Sequence, residues 1–401
     1  MKSLLRLLPL LVLLSGCVNR IELQSVETPV EDRDLPFKTL RNIGGFGVSA
    51  DGGVGIALVR TASSRNPGST DYSRPFLSRS EVLVVKTDSQ GRTLWRKVVL
   101  TALDLNENVP LVHPVTDGGF LVFISTDVPQ PKRFLLQLDG RGEVVWKREV
   151  QTPEVKGPLL SPAIYSVPGQ GFAVVGRTVT TEGTGYSMAL LRFDDRGTLL
   201  WNHAYPLDHT IFELAGVAPA PDGGLVLSWF SNNSPDVSWL MKTDASGHRK
   251  WLRRYALFSA RWVQPTPEGG FALMAFMTTS RQNVLFYRLS DAGDIQQVRS
   301  FLPAENESVA GLLGFFPVPS GFILNVNTYP AGIRQVMIDF SGRETGRHLL
   351  ETPSTFSPTA VLNGPDRSTF VLGRGSSGSV SLMRVGPEGV RQWLTDIPVG
   401  D

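Results

Sequence analysis

A four-residue turn signature that recurs seven times constrains the fold of this 401-residue chain more than any other feature. Aspartate usually occupies the first position of the signature, and glycine always occupies the fourth. Successive turn glycines lie 46 to 55 residues apart, a period typical of repeated β-sheet units. The seven copies are Asp88-Ser89-Gln90-Gly91, Asp139-Gly140-Arg141-Gly142, Asp194-Asp195-Arg196-Gly197, Asp244-Ala245-Ser246-Gly247 and the weaker Ser290-Asp291-Ala292-Gly293, Asp339-Phe340-Ser341-Gly342 and Gly386-Pro387-Glu388-Gly389.

The residue types of this signature suit a hairpin turn between two strands. Aspartate accepts hydrogen bonds from backbone further along the turn, and glycine supplies the left-handed conformation that closes it. A tryptophan follows the glycine by four residues in five copies, whereas Gln297 and Gly346 stand there in the other two. We expect these indoles to pack between neighbouring sheets as structural residues. They are Trp95, Trp146, Trp201, Trp251 and Trp393.

A second hairpin precedes the first one in every repeat. Its clearest turns are Asp51-Gly52-Gly53, Asp117-Gly118-Gly119 and Asp222-Gly223-Gly224, and Asp366-Arg367-Ser368 is the most degraded copy. Asp-Gly between apolar runs is a strong hairpin signal. A large apolar residue usually follows and opens a strand that suits burial on both faces. These residues are Phe120, Phe172, Leu225, Phe271, Phe322 and Phe370.

Two hairpins in each period give four strands, and one such sheet cannot bury both of its faces alone. Sheets that stack radially bury both faces and leave only short edges. The sequence therefore predicts an all-β protein in which residues 41–401 form a single β-propeller of about seven four-stranded antiparallel blades. A sandwich, a barrel and an open solenoid are the alternatives to a closed ring.

The N-terminus has the features of an export signal. Lys2 and Arg6 precede an apolar run that is shorter than the roughly 20 residues of a membrane-spanning helix. The run ends in Leu14-Ser15-Gly16-Cys17, which resembles the lipobox of bacterial lipoproteins. In that family the chain is cut before the cysteine, which is acylated. We therefore expect a signal peptide at 1–16 and a lipidated tether at 17–40, anchored to the bacterial cell envelope.

Val18 follows the expected lipidation site Cys17 and favours the outer membrane over the inner membrane. The repeat itself resembles the tryptophan-docking repeat of quinoprotein-type propellers, because its tryptophans fall at the matching position. A lipobox followed by such a propeller is similar to the lipoprotein subunit of the outer-membrane barrel-assembly machinery. That resemblance implies a non-enzymatic scaffold in the periplasm.

Composition and motifs argue against several classes of function. The net charge is +2 and like charges form no long run, so we expect no nucleic-acid partner. Cys17 is the only cysteine, and none of the five histidines forms a metal-binding pair. No nucleophile elbow or phosphate-binding loop occurs. We expect no cofactor, no metal site and no catalytic residue, although scattered Ser, His and Asp leave an enzyme open.

Loop length predicts where a partner would bind. Both repeated turns lie on one rim of the ring and are short, so we expect that rim to offer little chemistry. The opposite rim carries the longest connection, from Thr61 to Ser80, and long loops are often functional. Tyrosine and arginine are residue types that anchor interfaces. The candidate interface residues are Tyr72, Arg74, Phe76, Arg79, Asp104, His209 and Tyr329.

The sequence thus favours a lipid-anchored envelope propeller that binds or scaffolds another envelope protein. Its only expected attachment to the membrane is the lipid. Two alternatives stay open: an envelope enzyme that acts on a polysaccharide or small metabolite at the long-loop rim, and a glycan-binding protein.

Overall fold

The computed structural model describes residues 39–63, 78–103, 109–126, 132–155, 157, 159–167, 170–179, 185–207, 212–231, 237–256, 259–276, 283–301, 307–364, 366–375 and 379–399. These residues form 28 strands in seven sheets of four. Within each sheet the strands pair antiparallel in chain order, so each blade is a simple meander. The prediction of an all-β, seven-bladed propeller is confirmed.

The strands, four to a blade, are β1 (Thr39–Val48), β2 (Val54–Ser63), β3 (Ser78–Thr87) and β4 (Thr93–Leu103); β5 (Leu111–Pro114), β6 (Phe120–Thr126), β7 (Lys132–Leu138) and β8 (Val144–Glu149); β9 (Leu160–Val167), β10 (Gly171–Val179), β11 (Tyr186–Phe193) and β12 (Leu199–Pro206); β13 (Phe212–Pro219), β14 (Leu225–Ser231), β15 (Val237–Thr243) and β16 (Arg249–Ala256); β17 (Ser259–Pro265), β18 (Phe271–Phe276), β19 (Val284–Leu289) and β20 (Ile295–Phe301); β21 (Ser308–Val318), β22 (Gly321–Tyr329), β23 (Gly332–Ile338) and β24 (Glu344–Leu349); and β25 (Ser357–Asn363), β26 (Thr369–Arg374), β27 (Val380–Val385) and β28 (Arg391–Ile397).

The apolar core lies between the blades. The second and third strands of each blade are mostly buried, which explains why their sequences are continuous apolar runs rather than alternating ones. Each cluster joins neighbouring blades, for example Val84 of β3 with Phe120 of β6. One cluster joins the last blade to the first through Leu372 and Ile56. The ring therefore closes by side-chain packing between blades that each consist of four consecutive strands.

The second strand of the seventh blade places its large apolar residue one position later than the second blade does. In the second blade, Phe120 begins the second strand and pairs with Pro114 of the first strand. The equivalent residue of the seventh blade is Thr369, which pairs with Asn363. Phe370 lies one residue further on and packs its ring edge-on against Trp393 of its own blade, whereas Phe120 packs against Trp95 of the preceding blade. The turn before β26 keeps its length, so Phe370 faces the opposite side of its sheet from the residue that is equivalent to Phe120.

The turn between the third and fourth strands forms as its sequence predicts. The carboxylate of Asp88 accepts hydrogen bonds from the backbone N–H groups of Gln90 and Arg92, at 2.8 and 2.9 Å. Gly91 closes the turn in the left-handed conformation with a φ of 79°. Asp139, Asp194, Asp244 and Asp339 make the same pair of bonds in their own turns.

The outermost strand of each blade docks on this turn in the next blade. In four blades the indole N–H of the repeat tryptophan donates to a carbonyl of that turn at 2.9 to 3.0 Å. The pairs are Trp95 with Gly140, Trp201 with Ala245, Trp251 with Asp291 and Trp393 with Ser89. The last pair crosses the closure of the ring. Trp146 differs, because its N–H donates to Gln137 of its own blade.

Alternate residues of the same outer strand extend the docking contact. Two residues beyond Trp251, Arg253 donates to the carbonyl of Ala292, and two residues further Tyr255 donates to that of Gly293. His203 and Tyr205 contact the carbonyls of Ser246 and Gly247 in the same way in the third blade. Side chains at i, i+2 and i+4 of one strand face the same side, so they reach three consecutive carbonyls of one turn. We call this arrangement the docking ladder.

The docking ladder gives the turn glycine a second role. A Cβ at Gly142 would lie 2.7 Å from the Trp95 ring, and one at Gly91 would lie 2.8 Å from the Trp393 ring. A side chain there would therefore strain the backbone and also push the indole out. Glycine is required for both reasons.

Two blades replace the tryptophan in different ways. In the fifth blade, Gln297 donates through its amide to the carbonyl of Ser341 at 3.0 Å, so it takes over the bond of the indole. In the sixth blade, Met337 fills the space over Gly346. There the chain after β24 makes the contact instead, because the backbone N–H of Glu351 donates to the carbonyl of Gly389 at 2.9 Å.

The predictions for the N-terminus concern residues outside the described part of the chain. They include the signal peptide at 1–16, the lipidation of Cys17 and most of the tether. The strand β1 begins at Thr39. The described residues include no helix with the length and hydrophobicity needed to cross a membrane.

The two roles of the turn glycine predict unequal costs at two positions. Gly142→Ala should lower the free energy of unfolding by about 2–4 kcal/mol, because it strains the backbone and displaces the Trp95 ring. Gly269→Ala, whose φ is 87° and whose Cβ would meet nothing within 4 Å, should cost only about 1–2 kcal/mol. Urea unfolding of both variants measures the difference, and equal costs would contradict the second role.

The docking ladder also predicts the effect of removing an indole. Trp201→Ala and Trp146→Ala should each cost about 2–4 kcal/mol, somewhat less than a fully buried tryptophan, because each ring is partly exposed. Leu200→Ala is the control, since Leu200 is adjacent and exposed, and should change stability by less than about 0.5 kcal/mol. Thermal melts of the tryptophan variants that match the parent would show that the indoles do not hold blades together.

Candidate functional site

Most of the predicted interface residues lie outside the described residues: Tyr72, Arg74, Phe76, Asp104 and His209. Arg79 belongs to β3, where its backbone pairs with Ala62 and Leu103. Tyr329 ends β22 in the sixth blade and is 73% exposed. These two positions lie on the same rim but in different blades, so the structure does not bring them into one site.

The described part of this long-loop rim contains an ion pair in the sixth blade. Arg334 holds the largely buried carboxylate of Glu307 through two of its nitrogens. Hydrogen bonds from the Arg334 guanidinium outweigh burial and lower the pKa of Glu307. Apolar side chains such as Val309 and Leu324 line a cavity of only about 20 Å³ beside the pair, which has room for little more than one water molecule.

The opposite rim carries both sets of short turns and is richer in chemistry than its sequence predicts. In five blades a lysine or arginine stands directly across from the tryptophan position, as in Lys86 with Trp95 and Lys242 with Trp251. Lys86 is buried, and its ammonium donates to the Asp51 carboxylate and to the Gly118 carbonyl of the next blade, both at 2.7 Å. Lys86 therefore joins the two hairpins of its blade to the neighbouring blade.

The same rim has a carboxylate that is paired with two lysines in the fourth blade. Asp222 receives the buried ammonium of Lys242 at 3.1 Å and that of Lys250 at 2.9 Å. Burial acts to raise the pKa of Asp222, but the hydrogen bonds from Lys250 and Lys242 outweigh it and lower the pKa to about 2. Lys242 also pairs with Asp291 of the following blade.

Two clefts open on this turn rim, one on each side of the seventh blade. The first, which we call cleft 6/7, has a volume of about 530 Å³, within the range of roughly 300–1,000 Å³ that is usual for ligand pockets. Its walls come from the end of β21 and from the first turn of the seventh blade. The lining residues are Phe316, Pro317, Val318, Pro319, Ile323, Asn363, Gly364 and Arg367.

Arg367 occupies a position that glycine takes in other blades. Its φ is 64°, whereas Gly52, Gly118 and Gly223 adopt 76° to 81° at the same point of their turns. The turn holds this conformation through two backbone bonds, from Gly364 to the Ser368 carbonyl and from Arg367 to the Gly364 carbonyl. An L-residue in this region is strained by about 1–2 kcal/mol, and such strain concentrates at functional sites.

Asn363 lies beside Arg367 in the wall of the cleft. Neither the nitrogen nor the oxygen of its side-chain amide has a hydrogen-bond partner among the described residues, and both atoms are buried. Leaving such a group unpaired costs about 1–3 kcal/mol. Other blades carry valine, serine or proline at this point of the first strand, as in Val48 and Pro114.

A row of polar side chains continues from Asn363 into the space between the sixth and seventh blades. Gln335 donates to the Thr369 hydroxyl at 2.8 Å and to the Asn325 oxygen at 3.3 Å, and the Asn325 nitrogen has no partner among the described residues. All three side chains are buried. At the position of Gln335 the other six blades carry Val84, Leu135, Leu190, Leu240, Phe286 and Leu382.

The second cleft, cleft 7/1, lies on the other side of the same turn and measures about 260 Å³. Its charged groups are already paired within the protein. Arg384 pairs with Asp366 and donates to the Ser89 carbonyl at 2.9 Å, and Asp51 pairs with Lys86. Cleft 6/7 is therefore the candidate functional site, because it combines open volume with unpaired polar groups.

The sequence interpretation missed this site and expected little chemistry on the turn rim. The sequence does contain an indication of the site, because Asp366-Arg367-Ser368 is the most degraded of the first-hairpin turns. In the sequence, Asn325, Gln335 and Asn363 also differ from the mostly apolar residues at the same positions of the other repeats.

The described histidines do not add a catalytic or metal centre to cleft 6/7. Burial lowers the pKa of His113 to about 4, and its ring stacks on Phe172 between the second and third blades. His203 belongs to the docking ladder. Within the described residues, no three His, Cys, Asp or Glu side chains group closely enough to hold a metal ion.

Comparisons with known proteins agree with the fold. No family model and no curated protein sequence matches the chain. The β-propeller domain of the Trilobed protease from Pyrococcus furiosus, described as having an open velcro topology, matches at a TM-score of 0.53 and 8% identity, over 90% of this chain and 99% of that chain. The Dos1 propeller matches at a TM-score of 0.50 and 10% identity, over 87% of this chain and 94% of that chain.

An acylaminoacyl peptidase matches at a TM-score of 0.52 and 12% identity, over 87% of this chain and 51% of that chain. At such low identities these likenesses show the fold alone. The chain is a β-propeller, as the resemblance to tryptophan-docking repeats implied. The relation to the barrel-assembly lipoprotein stays a prediction.

The ion pairs of Asp222 with Lys242 and Lys250 predict a contribution to stability that is lost in acid. Because folding lowers its pKa from 3.8 to about 2, this contribution is complete above about pH 5 and disappears as the pH falls towards 2. Asp222→Asn should therefore lose stability at pH 7 and show a flatter decline between pH 5 and 2 than the parent. Urea unfolding across this range measures both curves, and parallel curves would contradict the assignment.

Proposed function

We propose that this protein is a lipid-anchored β-propeller of the bacterial cell envelope that binds or scaffolds another envelope protein. The observation that carries the binding role is cleft 6/7, an open site with strained Arg367 and unpaired Asn363. In the other blades these positions hold residues that serve the fold. Natural sequences depart from local consistency mainly at functional sites.

The location rests on the N-terminal sequence. A short apolar run that ends in Leu14-Ser15-Gly16-Cys17 supports export and acylation of Cys17. Two or more acyl chains anchor a protein stably, and Val18 supports the outer membrane. The propeller would then be held near the membrane surface by the segment that precedes β1.

Cell fractionation tests the anchor. The parent should fractionate with membranes and gain mass from acylation, and Cys17→Ser should do neither. A parent that is soluble and unmodified would contradict the proposed anchoring.

Site-specific photo-crosslinking in cells tests the binding role. A crosslinker at exposed Pro319, on the lip of cleft 6/7, should give one adduct of defined mass with an envelope protein. The same crosslinker at Leu200, which is exposed on an outer strand, is the control and should give none. A crosslinker at Tyr72 tests the long-loop rim. No adduct from Pro319 or Tyr72 would contradict partner binding.

A further inference from the structure

The geometry of cleft 6/7 points to a specific class of ligand, and this inference rests on the proposed binding function. We infer that the cleft binds a short extended peptide segment whose main chain pairs with Asn363 and whose carboxylate pairs with Arg367. The carboxylate can belong to an acidic side chain or to a C-terminus. Three observations on the described residues support this chemistry.

The first observation is the unpaired amide of Asn363. A carboxamide offers a donor and an acceptor in one plane, and so does a peptide group, so the two can pair through two hydrogen bonds. A carboxylate or a phosphate offers only acceptors and would leave the Asn363 oxygen unpaired. Because both amide atoms are buried in the free cleft, this pairing requires the Asn363 side chain to rotate towards the ligand. The amide then favours a ligand that carries peptide groups.

The second observation is the position of Arg367 at the mouth of the cleft. Arg367 is exposed, and none of the ion pairs among the described residues involves it. By contrast, Arg384 on the other side of the same turn is paired with Asp366. A free guanidinium beside an uncharged amide selects a carboxylate close to a peptide group, because guanidinium matches carboxylate geometry through two parallel bonds.

The third observation is the apolar wall that faces these polar groups. Phe316 and Ile323 line the inner part of the cleft, and Pro317 and Pro319 line its outer part. Aromatic and proline surfaces pack well against the side chains of an extended chain and bind it without much loss of their own conformational freedom. The volume of about 530 Å³ accommodates a segment rather than a single small ion.

The polar row beneath the cleft explains why the site lies between these two blades. Gln335 joins Asn325 to Thr369 across the blade interface, so the polar wall rests on both blades. Thr369 is also the strand partner of Asn363, so the row connects the interior of the blade interface to the wall of the cleft.

Fluorescence polarisation with the purified mature protein, expressed without residues 1–17, tests the inference. The probes are a pool of labelled short random peptides with a fixed central glutamate and an amidated C-terminus, the same pool with glutamine in place of glutamate, and a glutamine pool with a free C-terminus. We expect the parent to bind at least one carboxylate-bearing pool more tightly than the amidated glutamine pool by roughly tenfold. The preferred pool identifies the source of the carboxylate.

Two variants that restore residues of the repeat provide sharp tests. Arg367→Gly gives the turn the residue found at Gly52, Gly118 and Gly223, so it should fold at least as stably as the parent while the preference for a carboxylate disappears. Asn363→Val gives the residue found at Val48 and should weaken all pools by roughly fivefold or more. Arg141→Gly, an exposed arginine in a turn of the same rim, is the matched control and should bind like the parent.

Either of two results would overturn the inference: a parent that does not distinguish the carboxylate pools from the neutral pool, or an Arg367→Gly variant that retains the distinction. Such a result would leave the photo-crosslinking from Pro319 or Tyr72 unaffected, since a partner can bind the propeller through other chemistry. If no crosslinks form but the protein binds peptides in a carboxylate-dependent way, the proposed envelope partner would be contradicted. The inference that cleft 6/7 binds a carboxylate-bearing peptide would still stand.

Discussion

The docking ladder is the interaction on which the rest of the structure depends. An outer strand has only one neighbour in its own sheet, and its side chains supply the contacts that hold the next blade. In the fourth blade Trp251, Arg253 and Tyr255 donate to three consecutive carbonyls of one turn. Because the acceptors are backbone atoms, the contact tolerates many residues in the turn but requires glycine beneath the indole. The repeat signature records this geometry.

The departures from the repeat divide into two kinds. Some preserve the docking contact by other means, as when Gln297 replaces the indole and bonds to Ser341. Others take no part in the docking ladder. Arg367 adopts a strained conformation where glycine would be relaxed, and Gln335 introduces a polar group where six blades are apolar. Arg367 and Asn363 line one cleft, and Gln335 bonds to Thr369, the strand partner of Asn363. This clustering is the main argument that the cleft has a function.

The sequence was sufficient to predict the number of blades, the four strands of each and the turns that join them. Turn chemistry and period are local properties, and Asp88 and Gly91 behave as isolated turn residues would. The partners of the tryptophans could not be predicted in the same way, because Trp95 and Gly140 meet only after two blades pack. The side of the sheet on which Phe370 lies could not be predicted for a similar reason, since it depends on strand pairing rather than on residue size.

An interface was predicted from the sequence on the rim opposite cleft 6/7, and the cleft itself was not predicted. Loop length favours Tyr329 and the long connection between Thr61 and Ser80 as an interface, whereas cleft 6/7 is formed by short turns with unusual residues. Its polar row depends on side chains from two blades, such as Gln335 and Thr369, that are far apart in sequence. The candidate residues of the long loop stay predictions.

A double-mutant cycle between Trp95 and Gly142 tests the central claim most directly. If the glycine is required because the indole docks on it, the cost of Gly142→Ala should shrink by about 1–2 kcal/mol in a Trp95→Ala background, leaving only the strain of the turn. Additive costs within about 0.5 kcal/mol would show that the indole and the turn are energetically independent, and the docking ladder would not be what joins the blades.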